Sequence, residues 1–242
     1  MGPDRARDHW EQQSDAWIAL TRTDPDYELL NKPSFLEIVP PPGRLTLDVG
    51  CGEGRLAREL VTLGHRVVGI DGSATLARAA RASTPSIPVG LADASRLPVA
   101  SGAADLVVCF MVLMDVDDLD KTIAELARVL TPRGVLCAAI MHPIFSSGLF
   151  IDGDPHQTFY MGEYARSMRH VLDIERNNGD RIIFRIEHRP LELYSRALEA
   201  AGLALTTVRE PVPGAETVAN RPEFAKFRRV PEFLHFRAER LA

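Results

Sequence analysis

Residues 47–55 read LDVGCGEGR and place three glycines two apart, Gly50, Gly52 and Gly54, directly after a short apolar run. A glycine-rich turn between a strand and a helix lets the backbone approach a ligand closely. It also aims the free N–H groups of the helix start at that ligand. Dinucleotide sites use the spacing G-x-G-x-x-G/A, whose third small residue lets helix and strand pack closely. Here the third glycine comes one position early, and Arg55 stands where the small residue is expected. Asp48 and Glu53 flank the turn, and their negative charge disfavours a pyrophosphate. Acids at this place suit a cationic ligand. Asp71 follows about 20 residues after the turn, where a carboxylate can accept from ribose hydroxyls. Asp93, in LADA, can accept from an exocyclic adenine amine, and Ala94 beside it is small enough to let the ring lie flat. S-adenosylmethionine has both the adenosine half and the positive charge that this set requires.

A ligand that carries a methyl group on a sulfonium raises the question of its transfer, which would need alignment above all, and a general base where the acceptor is a hydroxyl or an ammonium. His142, in AAIMHPIF, follows an apolar run and is the candidate base. Trp17, His142, His156 and Tyr160 are candidate contacts for the acceptor, while His188 reads as an anchor between a hairpin and the next helix. Trp10 and Trp17 also fit packing at helical spacing. The run DVDDLD (Asp115, Asp117, Asp118, Asp120) reads as the N-terminal cap and dipole partner of a helix starting near Leu119, and no metal site is assigned.

These residues need elements to hold them. RLTLDVG, HRVVGID, PVGLAD, ADLVVCF and VLCAAIM read as strands. EGRLARELVTLG, SATLARAARAST and LDKTIAELARVLTPRG read as the helices between them, with Ser73 as an N-cap. The alternation predicts right-handed crossovers and a parallel sheet covered on both faces. Upstream, DHWEQQSDAWIAL and NKPSFLEIVPPPG read as helices, the second stopped by Pro40, Pro41 and Pro42. After residue 142 a long aromatic loop is expected, then a hairpin turning at Asn178-Gly179, then PLELYSRALEAAG as a helix and two closing strands.

LDVGCGEGR, VVGID, LADASRLPVASGAADLVVCF and ELARVLTPRGVL resemble, in order, the motifs of class I S-adenosylmethionine-dependent methyltransferases. HRPLELYSRALEAAGL and REPVP resemble the last helix and sixth strand of the small-molecule members. The resemblance implies a doubly wound α/β fold with a mostly parallel seven-stranded sheet whose last strand is antiparallel. It implies cofactor roles for Gly50, Gly52, Asp71, Asp93 and Ala94, with Phe110 and Met111 at the methionine end. Asp48, Cys51 and Gly72 complete the cofactor set from the same two turns. One domain is expected over 1–242: a helical cap (1–43), a cofactor core (44–141), an inserted loop and hairpin lid (142–190), and a C-terminal helix with the last two strands (191–242). The apolar end of the fourth strand, CFMV, lacks the Asn/Asp-Pro-Pro-aromatic motif of enzymes that methylate exocyclic amines of nucleobases or glutamine.

The chain has 242 residues, 45% of them hydrophobic, and a net charge of −5. That length suits one α/β domain, and the acidic balance argues against a nucleic-acid surface. No apolar stretch approaches the roughly 18 residues of a membrane span. Three cysteines and no signal peptide point to reduced thiols in the cytoplasm. The expectation is a cytoplasmic methyltransferase, monomeric or homodimeric, acting on an O or N of a small, secondary-metabolite acceptor. The rivals are a cofactor-binding relative that does not methylate and, disfavoured by Arg55 and Glu53, a nicotinamide oxidoreductase.

Overall fold

The computed structural model describes residues 5–84, 87–151, 154, 157–175 and 181–241. Helix α1 (Ala6–Thr21), a π-helical turn (Tyr27–Asn31) and α2 (Lys32–Ile38) come first. Then β1 (Thr46–Val49), α3 (Arg55–Thr62), β2 (Val67–Asp71), α4 (Ala74–Ser83), β3 (Val89–Leu91), β4 (Ala104–Phe110), α5 (Leu119–Val129) and β5 (Leu130–Met141) alternate as the sequence predicts. Ser73 caps α4, its hydroxyl accepting from Leu76 N–H at 3.1 Å. Asp118 caps α5, accepting from Lys121 N–H at 3.0 Å. One boundary differs: pairing with β4 already begins at Leu130, so α5 is shorter than expected. The register then shifts between Leu130 and Val135, and Arg133 turns left-handed at φ 64° to absorb the extra residues.

The aromatic segment expected as a loop instead holds α6 (Pro143–Ser146) and a short hairpin of β6 (Gly148–Phe150) and β7 (Phe159–Met161). The second hairpin is present as β8 (Met168–Glu175) and β9 (Arg181–His188); its Asn178-Gly179 turn lies outside the described residues. Next come α7 (Leu191–Ala200), β10 (Leu203–Arg209), α8 (Ala215–Asn220), a 3-10 turn (Pro222–Arg228) and β11 (Phe233–Arg240).

The main sheet has the order β10-β11-β5-β4-β1-β2-β3. Strands β1 to β5 are mutually parallel, and β11 runs antiparallel to both of its neighbours. Chain order reverses between β1 and β4, which opens a crevice at the carboxyl ends of the strands. Strand β4 is buried on both faces. Val107 and Cys109 join the core made with Ile123, Leu126 and Leu198, while Leu106 and Val108 join Phe35, Leu56 and Leu60.

Helix α1 lies over the crevice. Glu11 accepts from Ser73 Oγ at 2.5 Å, Thr75 Oγ1 at 2.8 Å and Thr75 N–H at 3.1 Å, tying α1 to the start of α4. On its other side, His9 Nε2 pairs with Ile183 O at 2.9 Å, and Gln13 Oε1 accepts from Ile183 N–H at 2.9 Å. Helix α1 and β9 thus form one cover.

Candidate active site

Beyond β1, Gly50 and Cys51 donate their N–H groups to Ile70 O at 2.7 and 3.1 Å. Gly50 has φ 75°, and a Cβ there would lie 2.2 Å from Val112 Cγ2, so only glycine fits. Gly52 donates its N–H to Asp71 Oδ2 at 2.8 Å, and Ser73 N–H donates to Asp71 Oδ1 at 2.8 Å. Asp71 therefore pins the glycine turn to the end of β2. Burial raises its pKa, and these N–H donors oppose the rise.

Asp48 is 1% exposed, and its Oδ2 has no hydrogen-bond partner. Burial, reinforced by the charges of Asp71 and Glu53, pushes its carboxyl up to about 7. Glu53 is paired with Arg58 Nη2 at 2.7 Å, whereas the buried Asp48 Oδ2 is matched by no donor. At the end of β3, Asp93 accepts from Ser95 N–H at 2.8 Å and Ser95 Oγ at 2.7 Å. Met111, just past β4, is left-handed at φ 58°, with its N–H donating to Ala139 O at 2.8 Å. That conformation is uncommon for a residue with a side chain.

These groups wall a cavity of about 1160 Å³ between the carboxyl edge of the sheet and the cover. Ordinary small-molecule sites hold roughly 300–1,000 Å³, and this cavity exceeds that range. All ten residues assigned to the cofactor from the sequence line it: Asp48, Gly50, Cys51, Gly52, Asp71, Gly72, Asp93, Ala94, Phe110 and Met111. Trp17 lines it too, its ring 5.4 Å from that of Trp10 and 6.3 Å from that of Phe184.

The other acceptor candidates fall elsewhere. His142 is buried and is not in the cavity lining. Its Nδ1 accepts from Ile144 N–H at 3.0 Å, capping α6, and its Nε2 meets Glu210 Oε1 at 2.9 Å. With both nitrogens engaged, it has no free lone pair for an acceptor proton. Tyr160 is 65% exposed on β7, away from the lining. His156 lies outside the described residues. His188 anchors β9 as expected, pairing with Ser146 Oγ at 2.7 Å and Tyr164 O at 2.8 Å. The aromatic segment packs on itself, Phe150 against Phe159 at 5.0 Å and Phe145 at 6.2 Å; among its described rings only Phe145 reaches the cavity. The acid run divides: Asp118 caps α5, whereas Asp117 accepts from Ala6 N–H at 3.2 Å and Asp115 from the Trp10 indole.

The wall residues that sequence reasoning did not single out include Asp26, Tyr27 and Glu232, and the apolar hairpin face of Leu172, Ile174 and Phe184. Period-two spacing carried a signal for the hairpin face, since Leu172 stands opposite Phe184 and Ile174 opposite Ile182.

Residues 47–138 match the family model described as a methyltransferase domain. The chain is 32% identical over 117 residues to a probable S-adenosylmethionine-dependent methyltransferase of Mycolicibacterium smegmatis, covering 48% of this chain and 46% of that protein. It is 28% identical over 147 residues to a demethylmenaquinone methyltransferase of Renibacterium salmoninarum, covering 60% of this chain and 59% of that one. The chain thus spans about half the length of the curated relatives it matches. An S-adenosylmethionine-dependent methyltransferase of Mesorhizobium loti superposes with a TM-score of 0.73 at 25% identity, over 86% of this chain and 96% of that one. The family model's matched segment runs from β1 into β5 and includes neither α1 nor the hairpins.

Proposed function

We propose that this chain, a member of the class I S-adenosylmethionine-dependent methyltransferase superfamily, transfers a methyl group from S-adenosylmethionine to an oxygen or nitrogen of a small-molecule acceptor in the cytoplasm. The observation that carries this reading is the single cavity wall on which Asp48, Asp71 and Asp93 stand at successive strand ends around the glycine turn. The residues suit the cofactor: Asp48 offers an unmatched buried oxygen to positive charge. Asp71 and Asp93 would hold the ribose and the adenine amine, and Phe110 and Met111 would border the methionine end. When bound, S-adenosylmethionine supplies a methyl group on a positively charged sulfur that is already activated for displacement. The protein's own work is to align the acceptor and exclude water, which α1 and β9 do by covering the crevice. Trp17, Leu172, Ile174 and Phe184 give the acceptor an apolar wall, which suits a planar or apolar secondary metabolite. Cys51, Cys109 and Cys137 are free and buried, which suits a reducing compartment.

S-adenosylhomocysteine should raise the melting temperature, because a ligand of the folded state at a hundred times its Kd adds about 2.7 kcal/mol. NADH should not. Saturable NADH binding with no response to S-adenosylhomocysteine would overturn the reading.

A further inference from the structure

Part of the cavity wall comes from residues far apart in sequence that the cofactor set does not include. Asp26 and Tyr27 enter it from the π-helical turn, and Glu232 enters from the residue before β11. Phe233 pairs with Met141, so Glu232 stands at the carboxyl edge of β5, on the far side of the sheet from Asp71 and Asp93. Met111 packs against the cluster that holds Phe233, which joins this region to the methionine end.

Two buried polar atoms here have no partner, Glu232 Oε2 and Tyr27 Oη. Tyr27 is only 4% exposed. Its ring is fixed edge-on to Phe110 at 5.7 Å, with the Arg55 guanidinium 4.0 Å over its face. Such groups are expensive to leave unpaired, and both residues belong to the wall of one cavity, so a ligand that reaches them gains by pairing with them. Burial and the charges of Asp26 and Asp24 push the Glu232 carboxyl up to about 8, with Lys226 opposing. Asp26 is pushed up to about 6 by burial and Asp24, helped by Glu223 and opposed by Arg221 and Lys226. Asp24 is itself paired with Arg55 at 2.9 Å. An ammonium brings three donors and the charge these acids lack. A hydroxyl brings one donor, and a carboxylate would meet like charge.

We propose that Glu232, with Asp26 and Tyr27, forms a subsite for the amino group of the methyl acceptor, and that Glu232 takes the proton of that group. The inference rests on the methyltransferase reading above. The acceptor R–NH3+ gives H+ to Glu232 Oε2, and the electron pair of the broken N–H bond stays on nitrogen, leaving R–NH2 with a free pair. The carboxyl then returns its proton to solvent. A base poised near neutral pH suits this transfer.

The test is calorimetry on the whole chain saturated with S-adenosylhomocysteine. Its probes are amine, alcohol and carboxylate matched on two skeletons, phenylethyl and octyl. The amines are expected to bind at least tenfold more tightly than the alcohols and carboxylates, with an enthalpy that depends on the ionisation heat of the buffer. Glu232→Gln should erase both effects while S-adenosylhomocysteine affinity stays within twofold. Asp26→Asn should weaken the amines several-fold, and it serves alone if Glu232→Gln does not fold. Equal binding of amines and alcohols by the unaltered protein, or an amine preference that survives the substitution, would overturn the proposal. So would a tenfold loss of S-adenosylhomocysteine affinity in Glu232→Gln, which would assign the carboxyl to the cofactor's own ammonium. Failure of the unaltered protein to bind S-adenosylhomocysteine at all would instead sink the methyltransferase reading, and that binding is measured first.

Discussion

Asp71 receives N–H groups from Gly52 and Ser73 on its two oxygens, so the carboxylate proposed for the ribose also holds the glycine turn. Hydrogen bonds to a charged group contribute roughly 1.5–3 kcal/mol. Asp71→Ala is therefore expected to lower S-adenosylhomocysteine affinity by more than tenfold in calorimetry. An unchanged Kd would remove Asp71 from the ribose site. Asp48 carries a pH signature. Its carboxyl sits at about 7 in the fold, against about 3.9 for an ordinary aspartate. Between those values the folded chain keeps a proton that the unfolded chain releases, so stability falls as pH rises from about 4 to 7. The melting temperature should drop across that window, and Asp48→Asn should flatten the drop. His142→Ala removes an N-cap acceptor and its bond to Glu210. A loss of about 0.5–2 kcal/mol in stability is expected, with kcat within a few-fold and the acid limb of the rate profile unmoved. A hundredfold fall in kcat would restore His142 as a base. At this scale the sequence showed Asp48, Asp71 and Asp93, because each follows an apolar run by a fixed step. It did not show Glu232 or Tyr27. Both belong to a wall assembled from distant segments, and no local spacing encodes that.

Among the elements, α1 decides whether the crevice is closed. Two of its polar anchors on β9 reach the backbone of Ile183. Contacts to backbone leave no mark on the side chains of β9, which is why α1 was legible as a helical cap while its tie to β9 was not. On the other side Glu11 holds Ser73 and Thr75, and these donors keep its carboxyl low, at about 2. Glu11→Ala should free α1 from the start of α4. Proteolysis within residues 6–21 should speed up, and S-adenosylhomocysteine affinity should weaken several-fold. Unaltered cleavage would mean that the β9 contacts alone hold the cover. The five parallel strands were legible because two-sided burial writes continuous apolar runs such as ADLVVCF. Strands β6 and β7 were not, since three residues are too few to show a period. The early start of β5 was hidden by Pro132 and Gly134, which read as an ordinary helix stop.

For the molecule as a whole, β11 is the strand that joins two halves of the sheet. It lies between β5 and β10, antiparallel to both, and Phe236 on it is 2% exposed within the larger core. Phe236→Ala should cost about 3–5 kcal/mol in denaturant unfolding. A loss below 1 kcal/mol would mean that the core closes without it. The insertion also sets an order of events during translation. The outermost strand, β10, leaves the ribosome before the strand that must slot in beside it, so until β11 emerges the sheet has a gap in which β5 lacks one neighbour and β10 its strand partner. Both edges of that gap are unpaired templates for other chains. A polypeptide halted after residue 230 would already carry the glycine turn and its three aspartates, yet it would lack Glu232 and expose two open edges. Growing chains of this protein should therefore depend on chaperones most in the interval before β11 emerges, and acquire the wall proposed for the acceptor only when that gap closes.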